Sequence, residues 1–199
     1  MWFLTNWVNE PFAYIDNAFS DQECDDIIKL GTEVFEKTRA VTFGSEKQNE
    51  EERNKVRRSD ITWLNYRSVD CDWLYRKCTD LIYTINDKFF QFELIALEEL
   101  QFTHYYDTDG EGGMYDKHAD YGYNSAISRK LSFSVQLCDD TDYEGCDLDI
   151  MLSTDSYIKS TRNKGAMIVF PSFVMHQANP IIKGERHSLV GWVCGPNFR

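Results

Sequence analysis

Up to Phe89 the apolar positions recur at helical spacing; beyond it they alternate or run in short blocks. Residues 11–19 read as a short strand entering the fold. Ser20 with Glu23 three residues on is a capping-box signature, and Ile27, Ile28, Leu30, Val34 and Phe35 then share one stripe, predicting an amphipathic helix to about residue 37. Residues 44–58 are almost entirely polar and charged and are expected to form a long loop, either an active-site lid or an unstructured surface insertion. Residues 60–66 can form a strand, and Trp73, Leu74, Cys78, Leu81, Ile82 and Ile85 mark a second amphipathic helix. Short β-like runs follow at 99–106, 130–137, 148–151, 166–170, 173–179 and 187–194. Two helices followed by many short strands predict a mainly β fold with flanking α structure, a sheet pair or barrel with helices on one outer face. No repeat or linker divides the chain, so a single domain over residues 1–199 is expected, with 1–90 as a helical support region and 91–199 as the β core.

Charge narrows the function classes. A formal net charge of −12 argues against general nucleic-acid binding and against attachment to an anionic membrane. No apolar run approaches the length of a membrane span. The start, Met1-Trp2-Phe3-Leu4-Thr5-Asn6-Trp7, lacks the basic flank and small-residue cleavage site of a secretory signal. Cys24, Cys71, Cys78, Cys138, Cys146 and Cys194 are scattered and contain no CxxC pair, which favours reduced thiols in a cytoplasmic protein over a disulfide framework or a zinc ribbon.

The candidate chemistry lies in His118-Ala119-Asp120, His176 and Arg186. Two imidazoles and a carboxylate are the set that holds non-haem Fe(II) on one face and leaves the opposite positions open. HxD alone is a weak signal, but an extended backbone sends the side chains of His118 and Asp120 to one side, and Gly112-Gly113 and Tyr121-Gly122 allow turns around them. His176 ends an apolar run. Turns at Asn179-Pro180 and Lys183-Gly184 would let it and Arg186 lie on neighbouring antiparallel strands. Arg186 and Ser188 then share a face, where a guanidinium and a hydroxyl can bind a carboxylate, while His187 points away. If Tyr105 faces inward, His104 faces away, which leaves His118 and His176 as the preferred metal ligands.

These segments resemble the 2-oxoglutarate- and Fe(II)-dependent dioxygenases of the prolyl 4-hydroxylase-like, PKHD-type family. The resemblance is carried by Gly112-Gly113-Met114-Tyr115-Asp116-Lys117-His118-Ala119-Asp120, Arg129-Lys130-Leu131-Ser132, Tyr143-Glu144-Gly145-Cys146-Asp147-Leu148 and Gly184-Glu185-Arg186-His187-Ser188-Leu189-Val190-Gly191-Trp192. It covers about the C-terminal half; earlier it rests on helix content and Arg57-Arg58-Ser59-Asp60. It implies a double-stranded β-helix, or jelly roll, with N-terminal helices packed on the major sheet. It also implies His118, Asp120 and His176 as iron ligands and Arg186 as the residue binding the distal carboxylate of 2-oxoglutarate, with Ser188 beside it. Tyr105 resembles the tyrosine that contacts the co-substrate, with Tyr106 as the alternative. Gly145-Cys146 stands where many relatives have two glycines, a change that would narrow the neighbouring pocket.

The implied activity is hydroxylation of an unactivated C–H bond using Fe(II), 2-oxoglutarate and O2, with ascorbate as a candidate reductant. Peptidyl proline is the leading substrate; another amino-acid side chain, a small molecule and a non-catalytic jelly-roll binding module are the alternatives. Trp63, Tyr66, Tyr115, Tyr121 and Tyr123 are candidates to line a peptide groove. A cupin-like enzyme would leave Arg186 and Ser188 without a role, and a nucleic-acid demethylase is disfavoured by the acidic balance.

Overall fold

The computed structural model describes residues 11–40, 49–108, 110–121 and 127–197. In chain order, β1 (Ala13–Ile15) leads into α1 (Asp21–Lys29), followed by β2 (Lys37–Arg39), α2 (Glu50–Val56), β3 (Arg57–Arg58), β4 (Asp60–Leu64) and α3 (Asp72–Ile85). The rest is strand: β5 (Ala96–Leu97), β6 (Leu100–Thr108), β7 (Glu111–Gly112), β8 (Met114–His118), β9 (Ile127–Gln136), β10 (Tyr143–Gly145), β11 (Leu148–Met151), β12 (Tyr157–Lys159), β13 (Met167–Pro171), β14 (His176–Ala178) and β15 (Ile181–Pro196). The larger sheet runs β1-β13-β9-β15-β6-β4-β2, with β5 and β10 also pairing with β15 and β7 with β6; the smaller runs β12-β11-β14-β8-β3. Ile150 of the smaller sheet packs on Ile168 and Phe170 of the larger, so the two sheets face each other as a jelly roll.

Strict alternation along β6, β9 and β15 gives the larger sheet two different faces. Phe102, Leu189, Val135, Phe133 and Val169 follow one another across the register on the outer face. There they join Cys24 and Ile27 of α1 and Leu74, Cys78, Ile82 and Ile85 of α3 in one core. Each large side chain buried here stabilises by about 1.5–3 kcal/mol, which holds the helices in place. The inner face carries Thr103, Tyr105, Ser132, Gln136, Arg186 and Ser188, all buried although most are polar.

The Ser20 capping box forms as the sequence predicts: Glu23 N–H donates to Ser20 Oγ (3.3 Å), and Ser20 N–H to the Glu23 carboxylate (2.7 Å). The first helix stops short of residue 37. It ends in a π-helical turn, Leu30–Val34, where Gly31 leaves room for the Phe102 ring and its carbonyl accepts from Thr62 Oγ1 (2.8 Å). Residues 37–39 instead pair with β4 as an edge strand. The long loop expected at 44–58 is also corrected. From Asn49 on it is ordered, with an Asn49/Glu52 capping box opening α2 and β3 pairing with β8. A polar helix and a two-residue strand have no apolar periodicity to betray them. Residues 44–48 of the expected lid lie outside the described residues. Strands accompany the helices in this half of the chain: β1, β2 and β4 extend the larger sheet and β3 the smaller.

Candidate active site

His118 closes β8 and His176 opens β14, and the two are direct cross-strand partners in the smaller sheet with ring centroids 4.2 Å apart. Asp120 follows just beyond β8, pinned by its N–H to the Ser172 carbonyl (2.9 Å). Its carboxylate oxygens lie 3.5 Å from His118 Nε2 and 3.4 Å from His176 Nε2. One donor atom from each of the three residues falls within 4.8 Å of the other two.

The tautomers follow from the outer bonds. His118 Nδ1 sits 2.7 Å from the Asp116 carbonyl and His176 Nδ1 3.0 Å from the Val174 carbonyl. A carbonyl only accepts, so both Nδ1 atoms carry a proton, and both Nε2 atoms, the positions left for a metal, face Asp120. With those Nε2 atoms deprotonated, two lone pairs and a carboxylate share one space, an acceptor cluster that a divalent cation satisfies. Burial works against an ionised Asp120, yet the two imidazoles and Ser132 hold its carboxyl well below the usual carboxylate range. Burial lowers the His176 pKa, favouring the neutral form a metal requires. The donor set fits ferrous iron.

Arg186 is not on a strand next to His176, as the turn residues suggested. Asn179-Pro180 carries the chain from the smaller sheet into the larger, where the Pro180 carbonyl accepts from Cys146 N–H (3.1 Å), and Lys183-Gly184 lies within β15. Arg186 therefore stands on the sheet opposite His118 and His176. It is 4% exposed, pairs in register with Tyr105, and lies with its guanidinium 5.6 Å from that ring. Its Nε donates to Gln136 Oε1 (3.1 Å), and no carboxylate forms an ion pair with it among the described residues. Tyr143 and Cys146 complete its surroundings. Ser188, 1% exposed, shares the inner face, two residues further along β15. Burial pushes the Tyr105 phenol up to about 12, so it stays a proton donor. Tyr106 turns outward and donates to Asp60 Oδ2 (2.8 Å).

The aromatic candidates separate. Tyr115 stacks on His118 at 3.5 Å between centroids. Trp63 stands 6.2 Å from Trp192, whereas Tyr66 packs on Tyr75 of α3, on the helical side of the larger sheet. Tyr123 lies outside the described residues.

The sequence assigns no role to three further residues that stand here. Arg57, 7% exposed, places its guanidinium 4.4 Å from the Tyr115 ring centroid and donates to Ser59 Oγ (2.9 Å). Nothing in its polar neighbourhood along the chain marks it as buried. Trp192 lies under Arg129 (4.1 Å), which Glu98 holds through bonds of 2.8 and 2.6 Å, and its buried Nε1 has no partner among the described residues. Gln136, which supports Arg186, was detectable: Ser132, Ser134 and Gln136 alternate with apolar residues along β9.

His104 and His187 both face the outer side, as the alternation predicts, with ring centroids 4.4 Å apart. Burial, reinforced by His104, pushes His187 down to about 4. The unfolded chain then takes up this proton first as pH falls. The associated stability is fully present above about pH 6.5 and lost on the way down to pH 4, on the order of 3 kcal/mol. Urea midpoints at pH 7 and pH 4.5 are expected to differ more for the wild type than for His187→Leu; equal differences would refute this.

Residues 100–194 match the family model of the 2OG-Fe(II) oxygenase superfamily. A PKHD-type hydroxylase of Synechococcus sp. (strain CC9311) is 40% identical over 86 residues, 43% of this chain and 38% of that protein. A PKHD-type hydroxylase of Idiomarina loihiensis is 31% identical over 94 residues, 45% of this chain and 42% of that one. The matched stretch thus spans about two fifths of the length of these curated relatives. Among solved structures, a Pseudomonas putida prolyl-4-hydroxylase superposes with a TM-score of 0.67 at 19% identity, covering 94% of each chain. A Trichoplax adhaerens prolyl hydroxylase, solved in complex with a peptide fragment of the hypoxia inducible factor oxygen degradation domain, gives 0.71 at 16% identity over 92% of this chain and 83% of that one. At these identities the likeness establishes the jelly-roll fold.

Proposed function

We propose, from the match of residues 100–194 to the 2OG-Fe(II) oxygenase superfamily model, that the protein is an Fe(II)- and 2-oxoglutarate-dependent dioxygenase that hydroxylates a peptidyl proline. One observation carries this reading. Three metal donors converge across from an arginine that is buried without a carboxylate. Leaving a guanidinium unpaired in the interior costs several kcal/mol, so Arg186 calls for an acidic ligand.

In this reading His118, Asp120 and His176 hold the iron, with Asp116 and Val174 carbonyls fixing the two rings. Bound Fe(II) supplies the means of coupling O2 and 2-oxoglutarate to oxygen insertion into a C–H bond, with succinate and CO2 as co-products. Arg186, oriented by Gln136, binds the distal carboxylate bidentately, and Ser188 and the neutral Tyr105 phenol donate to the same acid. The apolar part of the inner face, Ile168 and Phe170, keeps bulk water from the reacting carbon. Tyr115, braced between Arg57 and His118, and Trp192 with its free indole N–H form the walls against which the peptide would lie. The peptide-bound Trichoplax structure supports this class of substrate by analogy of fold. Six buried, free cysteines support a compartment that keeps thiols reduced, which we take to be the cytoplasm, and no described helix is long and apolar enough to cross a membrane.

The test is anaerobic addition of Fe(II) and 2-oxoglutarate to the metal-free protein, followed by succinate release with a panel of proline- and lysine-containing peptides. The visible charge-transfer band of the chelate and stimulation by proline peptides are expected. No band would end the proposal; a band with stimulation only by lysine peptides or small molecules would overturn the proline assignment.

Cys146 supplies a second prediction. It is fully buried beside Arg186 and adopts φ 50°, a left-handed conformation that costs a residue with a Cβ about 1–2 kcal/mol. In Cys146→Gly, relief of that strain offsets the lost burial, so thermal stability is expected to change little. The pocket widens, and the variant should accept the longer 2-oxoadipate in place of 2-oxoglutarate better than the wild type does. Unchanged co-substrate preference in competition assays would show that Cys146 does not shape the pocket.

A further inference from the structure

On the outer face of the larger sheet, directly behind Tyr105 and Arg186, His104 of β6 meets Glu185 and His187 of β15. His187 and His104 are cross-strand partners, and the period of two along β15 brings Glu185 to the same side. His104 Nε2 lies 2.9 Å from Glu185 Oε2, and one donor atom from each of the three residues falls within 4.8 Å of the other two. We propose that His104, Glu185 and His187 form a second divalent-cation site, suited to zinc and separate from the His118–Asp120–His176 cluster.

The donor chemistry and the surroundings both favour this. Two imidazoles and one carboxylate are a zinc set that leaves a fourth, tetrahedral position for water. Metal–donor bonds of about 2.0–2.2 Å place neighbouring tetrahedral donors roughly 3.4 Å apart, so His104 and Glu185 need open by only a few tenths of an ångström. The His187 ring is already held, stacked on Phe102 (5.3 Å) with Nδ1 3.5 Å from Cys138 Sγ. Burial keeps that imidazole neutral, with a lone pair to give. Lys37 and Arg39, the cations on the adjoining edge strand, are tied to Asp60 at 3.1 and 3.7 Å, so one of their two charges is offset. A metal here would join β6 to β15 at the register pair that presents Tyr105 and Arg186 to the interior.

Equilibrium dialysis of the full chain, stripped by chelator and exposed to micromolar Zn²⁺, tests the site by counting bound equivalents. The wild type is expected to hold two and the double variant Asp120→Ala/His176→Ala one. In that background Glu185→Gln, which alters an exposed side chain and keeps its shape, should lose the remaining equivalent, as should His104→Gln, with circular dichroism unchanged. Co²⁺ substitution of the double variant should give a visible spectrum with nitrogen and oxygen ligation. A double variant that binds no metal overturns the proposal. So does a remaining equivalent that survives both His104→Gln and Glu185→Gln, since the cysteines would then be holding it.

Discussion

His176→Ala is expected to abolish 2-oxoglutarate turnover. The change deletes one of three donors and leaves Asp120 facing His118 alone. Altering a residue that merely orients a metal ligand commonly costs about 10–100-fold in affinity or activity, and removal of a ligand must exceed that. His176 is also the cross-strand partner of His118, so the two remaining donors lose the ring that sets their spacing. Two measurements separate metal loss from misfolding: anaerobic Fe(II) titration, which should show weakened binding, and circular dichroism, which should match the wild type. Succinate release at the wild-type rate by this variant would remove the iron assignment and the function built on it.

Arg186→Ala is the second large effect, and it should appear in the co-substrate and not in the metal. Truncating one partner of a buried, hydrogen-bonded charge pair costs about 2–5 kcal/mol, so the Kd for 2-oxoglutarate should rise by roughly 30- to 5000-fold. Fe(II) binding should be retained, because Arg186 sits on the opposite sheet from His118 and His176. Arg186→Lys should recover only part of the affinity, since an ammonium keeps the charge and loses the fork. Arg186→Met offers an independent reading. Replacing a buried, unpaired charge with an apolar chain of similar length should raise the melting temperature of the ligand-free protein, while 2-oxoglutarate should no longer raise it further. Wild-type affinity in Arg186→Ala would mean that the acid binds elsewhere.

The sequence by itself determined the outline of the fold and which residues are candidates for the chemistry. The residue types of the His118/Asp120, His176 and Arg186 segments carry their meaning as donors and cations wherever they lie. Period-two alternation sorted Arg186, Ser188 and Tyr105 from His104 and His187, because a strand sends successive side chains to opposite faces. The first and second long helices were visible for the same kind of reason, an apolar stripe that must be buried.

Only the tertiary structure decided what depends on contacts between distant segments. Arg57 is buried by Tyr115, β3 by its pairing with β8, and the end of the first helix by Phe102 pressing on Gly31; none of these partners is near in the chain. The placement of His176 and Arg186 in facing sheets, and the meeting of His104, Glu185 and His187 behind them, likewise follow from which strands pair across the fold. Local periodicity records which way a side chain points relative to its own strand, whereas strand pairing is a long-range choice made by burial of the whole core.

The proposed chemistry needs two events: the partly buried His118–Asp120–His176 cluster captures a ferrous ion, and a guanidinium on the facing sheet captures an acid. Those two events depend on different residues, which is why the two substitutions should fail in different ways.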